Sequence, residues 1–587
     1  MNTFLTRKLA IALVITQVLS PLTGYATDLS DVPMAVISSV KPNVFLTVDD
    51  SGSMYSEIIP ETIPSDPDYP YAYFVFPKPR TIYGRTGYYS DRGSMTVPGF
   101  EETSRYARFF RTARFNPLYY NPQITYTPWA DPNVTTGSTP GFMPNASPAA
   151  ARHNPYVPSE GTIDLTSNQT WTGSFWDDHY WLDDNGSGTL PTNGCTGYAG
   201  CGRSALNASR SYFPATYFVW NGATGVALPT TPVSPTNTQA NFTKIEIKPL
   251  TATYTKYPNR TDCSGATCSY NEEIQNFANW YSYYRSRTLA ARGGIGQALG
   301  QLQDNSMRVG YGTINTGSST IDGVSSSNTL RLGVRAFSGA DRRSLMAAFY
   351  GDSVPQAGTP LRQALGSVGQ YFSRQDNRSP WTDNPAGNVS GYNVANDAYC
   401  RQNFNILMSD GQWNGNEASN SSARANVDGA DGNPFADSYS NTLADVARYY
   451  YKTDLRGGAS PLQDKVPTDA IDTANWQHLV TYTVGFGLGG TIAKSAIDST
   501  FTATPQTITW PNAGTNGPNR VDDLAHAAVN GRGGYFAALD VREMAQSLKV
   551  ALEDILGRNG SAAAVAVSNA NVTSGDNASY ELMFLCG

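Results

Sequence analysis

Two parts of the chain have hydrophobic patterns that predict regular secondary structure, and a long irregular segment separates them. The mainly apolar run from Val44 to Val48 ends in Asp-Asp-Ser-Gly-Ser, which predicts a buried strand that leads into a tight polar turn. Residues 55–274 are instead rich in Pro, Gly, Tyr, Thr and Asn. That composition predicts short strands joined by long loops rather than a helical domain.

Helices and strands alternate after the irregular segment. A helix is predicted at 274–299, with a kink or break at Gly293 and Gly294. Further strands are predicted at 307–315, 330–337, 403–411 and 478–487, and further helices at 342–350, 359–374, 440–455 and 540–556. Short apolar strands that alternate with amphipathic helices indicate an α/β fold, with a mostly parallel sheet covered by helices on both faces.

The charge balance excludes a nucleic-acid partner. Among 587 residues, 41 Lys and Arg face 48 Asp and Glu, so the net charge is −7 and the basic surface typical of nucleic-acid binders is missing. Only 15% of residues are charged, whereas the chain contains 35 Tyr, 54 Gly and 36 Pro. This profile favours an exported protein with aromatic loops over a cytosolic helical one.

The N-terminus predicts export. Arg7 and Lys8 precede an apolar run at 9–19, and small residues follow at Gly24 and Ala26, which is the pattern of a signal peptide cleaved after residue 26. A membrane anchor is the alternative, but the run is shorter than the ~20 residues that span a bilayer. No later stretch is long and apolar enough, so we expect no transmembrane segment in the mature chain.

Six cysteines fit an oxidising compartment. Two close pairs predict local disulfides, namely Cys195 with Cys201 and Cys263 with Cys268. Cys400 and Cys586 either pair with each other or stay free, and the sequence leaves both alternatives open. Neither close pair has the Cys-x2-Cys spacing of a zinc site and the four His are scattered, so we expect no structural zinc.

Three polar turns carry oxygen ligands where predicted elements end or begin. Asp49, Ser51 and Ser53 follow the first strand, Thr359 opens a helix, and Asp410 follows the strand at 403–411. Such turns meet beyond the carboxyl ends of the strands in open α/β sheets. Carboxylates and hydroxyls suit a hard divalent cation, most of all Mg2+, with Mn2+ or Ca2+ as alternatives. Soft ligands are absent, which disfavours copper and zinc here.

The segments VDDSGS, GTPL and SDG resemble, in order, the metal-ion-dependent adhesion site of von Willebrand factor A domains. The resemblance implies that three hydroxyls bind the ion directly, those of Ser51, Ser53 and Thr359. It implies that Asp49 and Asp410 act largely through water, and that one coordination position is open for a carboxylate of the partner. Asp50 matches no ligand position of the motif.

An enzymatic site is not expected. Aspartyl-phosphate phosphatases also place an Asp after an apolar strand, but their pattern is Asp-x-Asp and position 51 is Ser. The chain has no Gly-x-Ser-x-Gly nucleophile elbow beside its four His, and no phosphate-binding Gly loop with Lys. We therefore predict a binding protein rather than an enzyme.

Two other features remain open to interpretation. The stretch 426–438 offers Asp428, Asp431 and Asp437, but it lacks the spacing of an EF-hand loop, so we interpret it as a solvated loop rather than a calcium site. The acidic residues within 177–184 are interpreted in the same way. The aromatic residues of 55–274 form either an adhesive surface or the small core of a β-rich subdomain.

The whole chain resembles the PilY-type type IV pilus tip-associated adhesins. Ser53 and Thr359 are separated by 306 positions (359 − 53), far more than a compact unit needs, and the long insertion is a feature of that family. Three segments carry the resemblance: FNPLYYNPQITYTPW, NFANWYSYYRSRTLAAR and LADVARYYYKTDLR. The resemblance implies export to the periplasm, outer membrane and cell surface at the pilus tip. Its implied partners are minor pilins and a host-cell or abiotic surface ligand.

These expectations define a domain organisation and a function. Residues 1–26 are the signal peptide, 35–54 and 275–556 form a von Willebrand factor A-type domain, and 55–274 form its insertion. Residues 557–587 are expected to be a linker toward the C-terminal β-propeller that members usually carry and this chain lacks. The implied function is surface attachment, surface sensing and pilus assembly, including twitching motility. The alternatives are a non-adhesive priming component that binds minor pilins and, less favoured, a periplasmic metal-dependent hydrolase.

Overall fold

A computed structural model gives the architecture of most of the chain. The residues it describes are 40–59, 74–77, 81–82, 85–86, 96–133, 141–172, 174–176, 209–232, 234–326, 328–355, 357–387, 397–410, 412–458, 461–487, 489–502, 504–561, 565–567 and 579–581. The predicted signal peptide, Cys195, Cys201, Cys586 and the acidic residues within 177–184 lie outside them. Residues 40–559 form one compact unit, and an antiparallel pair of strands, Val565–Val567 and Ser579–Glu581, belongs to another.

A six-stranded sheet forms the centre of the larger unit. Its strands are β1 (Asn43–Val48), β2 (Arg308–Thr313), β3 (Leu330–Ala336), β4 (Asn403–Ser409), β5 (Val480–Phe486) and β6 (Arg532–Ala538). They lie in the order β3-β2-β1-β4-β5-β6, and only the edge pair β2–β3 is antiparallel. The predicted α/β class with a mostly parallel sheet is confirmed.

Helices cover both faces of this sheet. The α-helices that the structure describes are α1 (Arg105–Phe110), α2 (Tyr270–Tyr284), α3 (Arg287–Gln301), α4 (Gly339–Gly351), α5 (Leu361–Phe372), α6 (Leu443–Lys452), α7 (Lys494–Asp498), α8 (Pro518–Asn530) and α9 (Val541–Ser561). Side chains of β1 alternate between two cores, because successive residues of a strand point to opposite faces. Val44 and Leu46 pack in the core that contains α3 and α9, whereas Phe45 packs in the core that contains α5, α6 and α8. Burial on both faces explains the continuous apolar run of β1.

The break predicted at Gly293 and Gly294 is wrong. Helix α2 ends at Tyr284, and α3 begins at Arg287 after Ser286, whose side chain accepts a hydrogen bond from the N–H of Leu289. Both glycines lie inside α3, where they allow neighbours to approach closely. A Cβ on Gly293 would lie 2.4 Å from the ring of Tyr284.

The sequence analysis missed α8 and β6. Helix α8 has recognisable signals, since Pro518 stands in its first turn and the apolar residues Val521 and Leu524 follow at helical spacing. Strand β6 begins Arg-Gly-Gly, which has neither alternation nor β-branched residues. A Cβ on Gly533 would lie 2.2 Å from the carbonyl oxygen of Thr481 in β5, so close strand packing excludes a larger side chain there.

Short strands joined by loops make up the described part of 55–274. They are Thr81–Ile82, Arg85–Thr86, Thr96–Pro98, Ala151–Arg152, Thr162–Ile163, Gln169–Thr172, Ser174–Trp176, Ser209–Tyr212, Thr216–Trp220, Phe242–Glu246, Thr253–Thr255 and Thr267–Ser269. A further hairpin, Ser319–Ile321 with Val324–Ser326, lies between β2 and β3. Helix α1 also lies within the insertion, and α2 begins near its end.

The aromatic residues at 115–129 are core residues. Tyr119, Tyr120 and Trp129 are fully buried, and the rings of Tyr119 and Tyr120 pack against Trp280 of α2 with centroids 4.8 and 5.9 Å apart. Of the two interpretations of the insertion, the small core therefore holds for this segment. Aromatic rings bury a large apolar area each, which lets a loop-rich segment acquire a core.

Two further expectations concern disulfide bonds and membrane-spanning helices. The predicted disulfide between Cys263 and Cys268 is present. Cys400 is also disulfide-bonded, so the alternative in which it stays free is excluded. None of the described helices is long and apolar enough to cross a bilayer.

Candidate metal centre

The two predicted carboxylates come together because β1 and β4 are parallel neighbours. Val48 pairs with Met408, and the N–H of Asp49 donates to the carbonyl oxygen of Met408 at 2.9 Å. Asp49 and Asp410 therefore leave the sheet at the same edge. Both are buried, with 2% and 0% of their surface exposed.

A chain of hydrogen bonds joins four of the five predicted residues. Asp49 Oδ1 accepts a bond from the N–H of Ser51 at 2.7 Å, which folds the turn back on itself. The hydroxyl oxygens of Ser51 and Ser53 lie 2.9 Å apart. The hydroxyl of Ser53 donates to Asp410 Oδ1 at 2.9 Å, although the two residues are 357 positions apart in sequence.

The loop of Thr359 lies beside this chain. The N–H of Gly52 donates to the carbonyl oxygen of Ala357 at 2.9 Å. Thr359 is bound in turn to Asn414, which follows β4, because its N–H donates to Asn414 Oδ1 and its carbonyl accepts from the N–H of Asn414, both at 2.9 Å. These contacts involve the backbone of Thr359 rather than its hydroxyl. They hold the loop of Thr359 against the turn after β1 and against the segment after β4.

Burial and mutual repulsion dominate the electrostatics of the cluster. Burial, and then the neighbouring carboxylate of Asp410, raise the pKa of Asp49 to about 7. The other oxygen of Asp49 accepts from the hydroxyl of Ser409 at 2.5 Å. Two buried carboxylates so close together favour a positive charge between or beside them.

A buried arginine supplies part of that charge. Arg287, at the first position of α3, places Nη1 2.8 Å from Asp410 Oδ2, and its Nε and Nη2 donate to the carbonyl oxygen of Ile58. The sequence analysis did not identify Arg287. Its sequence context, the start of an amphipathic helix, carries no motif that indicates a role at a distant strand end.

Asp50 forms hydrogen bonds with a different residue, Asn315. Its Oδ1 accepts bonds from the N–H and the side-chain amide of Asn315, at 3.0 and 3.1 Å, so it ties β1 to the loop after β2. Burial raises the pKa of Asp50 to about 6. Its contacts are therefore distinct from the chain that joins Asp49 to Asp410.

The donor set fits a hard divalent cation. The five predicted residues offer carboxylate and hydroxyl oxygens alone, which are the ligands that Mg2+, Mn2+ and Ca2+ prefer. Arg287 neutralises one carboxylate oxygen of Asp410 and leaves the other directed at Ser53. The cluster thus keeps a net negative charge in a buried position, which a divalent ion would balance.

The predicted solvated loop at 426–438 is wrong for Asp428, which is fully buried. Its carboxylate accepts bonds from the side-chain amide of Asn530 at 2.6 Å and from the N–H of Asp437 at 3.2 Å. His526 of α8 lies beside both carboxylates. The partners come from α8, whose position the sequence analysis missed.

Comparison with known proteins identifies relatives along most of the chain. No protein-family model matches it. The type IV pilus biogenesis factor PilY1 of Pseudomonas aeruginosa strain PAK is 29% identical over 91% of the chain, and that of strain PAO1 is 28% identical over 91%. The chain spans about two fifths of the length of these relatives, 40% and 39%.

A structural comparison adds little. The pilus adhesin SpaC of Lactobacillus rhamnosus GG aligns with 46% of this chain and 28% of its own, at 15% identity and a TM-score of 0.22. At that TM-score the likeness carries no argument. The sequence relatives, which are named type IV pilus biogenesis factor PilY1, confirm the resemblance to PilY-type proteins that the motifs predicted.

Proposed function

We propose that this chain is a type IV pilus biogenesis factor and tip-associated adhesin that binds its partners through a divalent ion, most favourably Mg2+. The ion would be held by Asp49, Ser51, Ser53, Thr359 and Asp410. The names of the relatives support the pilus role. The single observation that supports the ion site is the hydrogen-bond chain from Asp49 to Asp410, which joins residues that are far apart in the sequence.

We also propose that the sheet belongs to a von Willebrand factor A-type domain. The strand order β3-β2-β1-β4-β5-β6 supports this assignment, as does the antiparallel edge strand β3. In open α/β sheets, ligands bind in the crevice where the strand order reverses. Here that point lies between β1 and β4, where Asp49 and Asp410 leave the sheet.

The proposed binding chemistry depends on the division between hydroxyls and carboxylates. Neutral hydroxyls of Ser51, Ser53 and Thr359 would hold the ion without cancelling its charge, while Asp49 and Asp410 orient the site. A bound divalent ion would then supply an electrophilic position for the carboxylate of a partner. Arg287 would hold Asp410 in place from the interior side. No enzymatic activity is proposed.

Metal-dependent thermal stability tests the ion site. The purified chain, stripped with EDTA, should be stabilised by Mg2+, by about 2.7 kcal/mol when the ion is present at 100 times its Kd. Ser51→Ala, Ser53→Ala and Thr359→Ala should each reduce that stabilisation. Asp50→Asn is the control, because Asp50 contacts Asn315 instead. Stabilisation by Mg2+ that survives all three hydroxyl substitutions would place the ion elsewhere.

A second candidate function is a non-adhesive assembly component that binds minor pilins, and the relatives' description as biogenesis factors favours it. The double substitution Asp49→Ala with Ser51→Ala, tested in piliated cells, separates the two. Normal piliation with lost attachment supports adhesion through the ion. Cells without pili support the assembly role. Unchanged piliation and attachment would contradict both functions of the ion site.

A further inference from the structure

A second cluster of ligand-type side chains lies beneath the loop at 426–438. Asp428 and Asp437 belong to that loop, between β4 and α6, and His526 belongs to α8. The ligand atoms that the three residues offer all lie within 4.8 Å of one another. Their side chains are 0%, 4% and 2% exposed. The cluster shares no residue with the candidate metal centre, although Asp428 and Asp437 lie in the same connection between β4 and α6 as Asp410.

The hydrogen bond of His526 fixes which ring nitrogen is free. Nε2 lies 2.6 Å from the carbonyl oxygen of Phe435, which can only accept, so Nε2 carries the proton. Nδ1 lies 3.6 Å from Asp437 Oδ2, beyond hydrogen-bond distance, so a ring protonated on Nε2 alone presents the Nδ1 lone pair on that side. Asp428 Oδ2 lies 3.5 Å from Nε2. Metal-binding histidines show the same arrangement, in which the second nitrogen donates to a backbone carbonyl.

Backbone and side-chain hydrogen bonds hold the two carboxylates in place. Asp428 accepts from the amide of Asn530 and from the N–H of Asp437, and Asp437 Oδ1 accepts from the N–H of Tyr439 at 2.8 Å. Among the described residues, neither carboxylate forms an ion pair with a lysine or arginine. The nearby Arg448 bonds Asp431 instead, at 2.7 Å.

The side chain of Asn530, which donates to Asp428, carries a second buried polar atom. Asn530 Oδ1 is buried and accepts no hydrogen bond from the described part of the chain, although the amide nitrogen of the same side chain donates to Asp428. Asn530 Oδ1 and His526 Nδ1 are thus two buried acceptor atoms near the buried carboxylates of Asp428 and Asp437. Buried acceptors without a donor are costly, and a bound cation would satisfy them.

We propose that Asp428, Asp437 and His526 bind one divalent transition-metal ion of the Zn2+ type, with His526 coordinating through Nδ1. An imidazole with two carboxylates suits Zn2+ rather than Mg2+, which avoids nitrogen ligands. Two ligands at ~2.1 Å from a tetrahedral ion lie about 3.4 Å apart, close to the 3.6 Å between Nδ1 and Asp437 Oδ2. Water can complete the coordination.

The ion would fasten the loop at 426–438 to α8. That helix also carries Asp523, which accepts bonds from the N–H groups of Leu443 and Ala444 at the start of α6 and from the indole N–H of Trp413. Trp413 follows Asp410 by three positions. The ion therefore has a structural role, and it would hold the helix that supports the loop after β4.

Zn2+ titration of the purified full chain tests this proposal. After EDTA treatment and removal of the chelator, calorimetry should show one tightly bound Zn2+ per chain, and Co2+ as a probe should give visible d–d absorption bands. Asp437→Asn and His526→Gln should each weaken Zn2+ binding by at least about tenfold. His478→Gln is the matched control, because His478 is a buried histidine that faces Asp472 at 3.0 Å, and it should leave Zn2+ binding unchanged.

The outcomes separate this site from the proposed adhesion site. Asp437→Asn should retain the near-ultraviolet circular dichroism of the metal-free chain and its stabilisation by Mg2+, and Asp49→Asn should retain Zn2+ binding. Failure of the wild-type chain to bind stoichiometric Zn2+ overturns the proposal, whichever variants fold. Equal Zn2+ affinity in Asp437→Asn, or loss of Zn2+ only in Asp49→Asn, also overturns it.

Discussion

His478 shows how a single residue responds to the two groups that face it. Its Nε2 lies 3.0 Å from Asp472 Oδ2, and its Nδ1 lies 2.6 Å from the carbonyl oxygen of Trp476. Both partners are acceptors, so only the doubly protonated ring satisfies both. Burial lowers the pKa of His478, but the carboxylate of Asp472 outweighs burial and raises it above its usual value of 6.5. The pairing with Asp472 therefore favours the charged form of the ring.

The pair predicts a pH dependence of stability. Because the pKa of His478 is higher in the folded chain, the folded state binds the proton more tightly. That contribution to the free energy of unfolding is complete below a pH of about 6.5 and is lost as the pH rises through the folded pKa. Urea unfolding between pH 6 and 9 should show the decline. Asp472→Asn should make the decline smaller, while buried carboxyl groups with a raised pKa, such as Asp49, still contribute to it. An unchanged decline in that variant would contradict the assignment.

At the scale of elements, glycines set the distance between α3 and α9. A Cβ on Gly294 would lie 2.7 Å from Cγ of Met544 and 3.2 Å from the backbone nitrogen of Ala545, so the two helices touch at this point. A backbone atom cannot move aside without moving its helix. Gly557 of α9 is a useful contrast, because a Cβ there would have no neighbour within 4 Å.

We therefore predict opposite effects of two glycine-to-alanine substitutions. Gly294→Ala should lower the free energy of unfolding by about 1–3 kcal/mol, because it overpacks the contact between the helices. Gly557→Ala should raise it by about 0.5–1 kcal/mol, because alanine has the higher helix propensity and nothing opposes it. Urea unfolding at constant pH measures both. Equal effects of the two substitutions would show that α3 and α9 do not touch at Gly294.

At the scale of the whole molecule, the insertion and the sheet share one core. Glu57, just after the first turn of the candidate metal centre, pairs with Arg285 at 2.9 Å, and both side chains are completely buried. The insertion residues Tyr119 and Trp129 belong to the same hydrophobic cluster as Val44 of β1. The insertion therefore contributes to the folding of the domain that carries the site.

The shared core predicts cooperative unfolding. Calorimetry should give one transition for residues 40–559, and Glu57→Ala should shift the whole transition, at a cost of about 3–5 kcal/mol for the stranded charge of Arg285. The control is Asp498→Ala in the exposed pair Lys494–Asp498, which should change stability by no more than about 0.5 kcal/mol. Two separate transitions, with Glu57→Ala moving only one, would contradict the shared core.

The candidate metal centre shows which neighbouring residues a sequence pattern can predict and which it cannot. Asp49, Ser51, Ser53 and Asp410 were predictable, because each stands next to a strand whose apolar run marks its end. Arg287 was not, because its contact with Asp410 depends on how α3 docks against the sheet. The break between α2 and α3 was misplaced for a related reason, since buried glycines that permit close packing look like breaks in a sequence.

The sequence by itself determined the strands β1, β2, β3, β4 and β5 and the chemistry of the three polar turns. Burial on both faces imposes an apolar run, and turns need specific residues, so both leave local signals. Tertiary structure alone decided the contacts that depend on how the helices dock. Asp428, Asp437 and His526 looked like a solvated loop and a scattered histidine until α8 brought them within reach. Such contacts depend on packing between segments far apart in the chain. Local residue patterns do not indicate that packing.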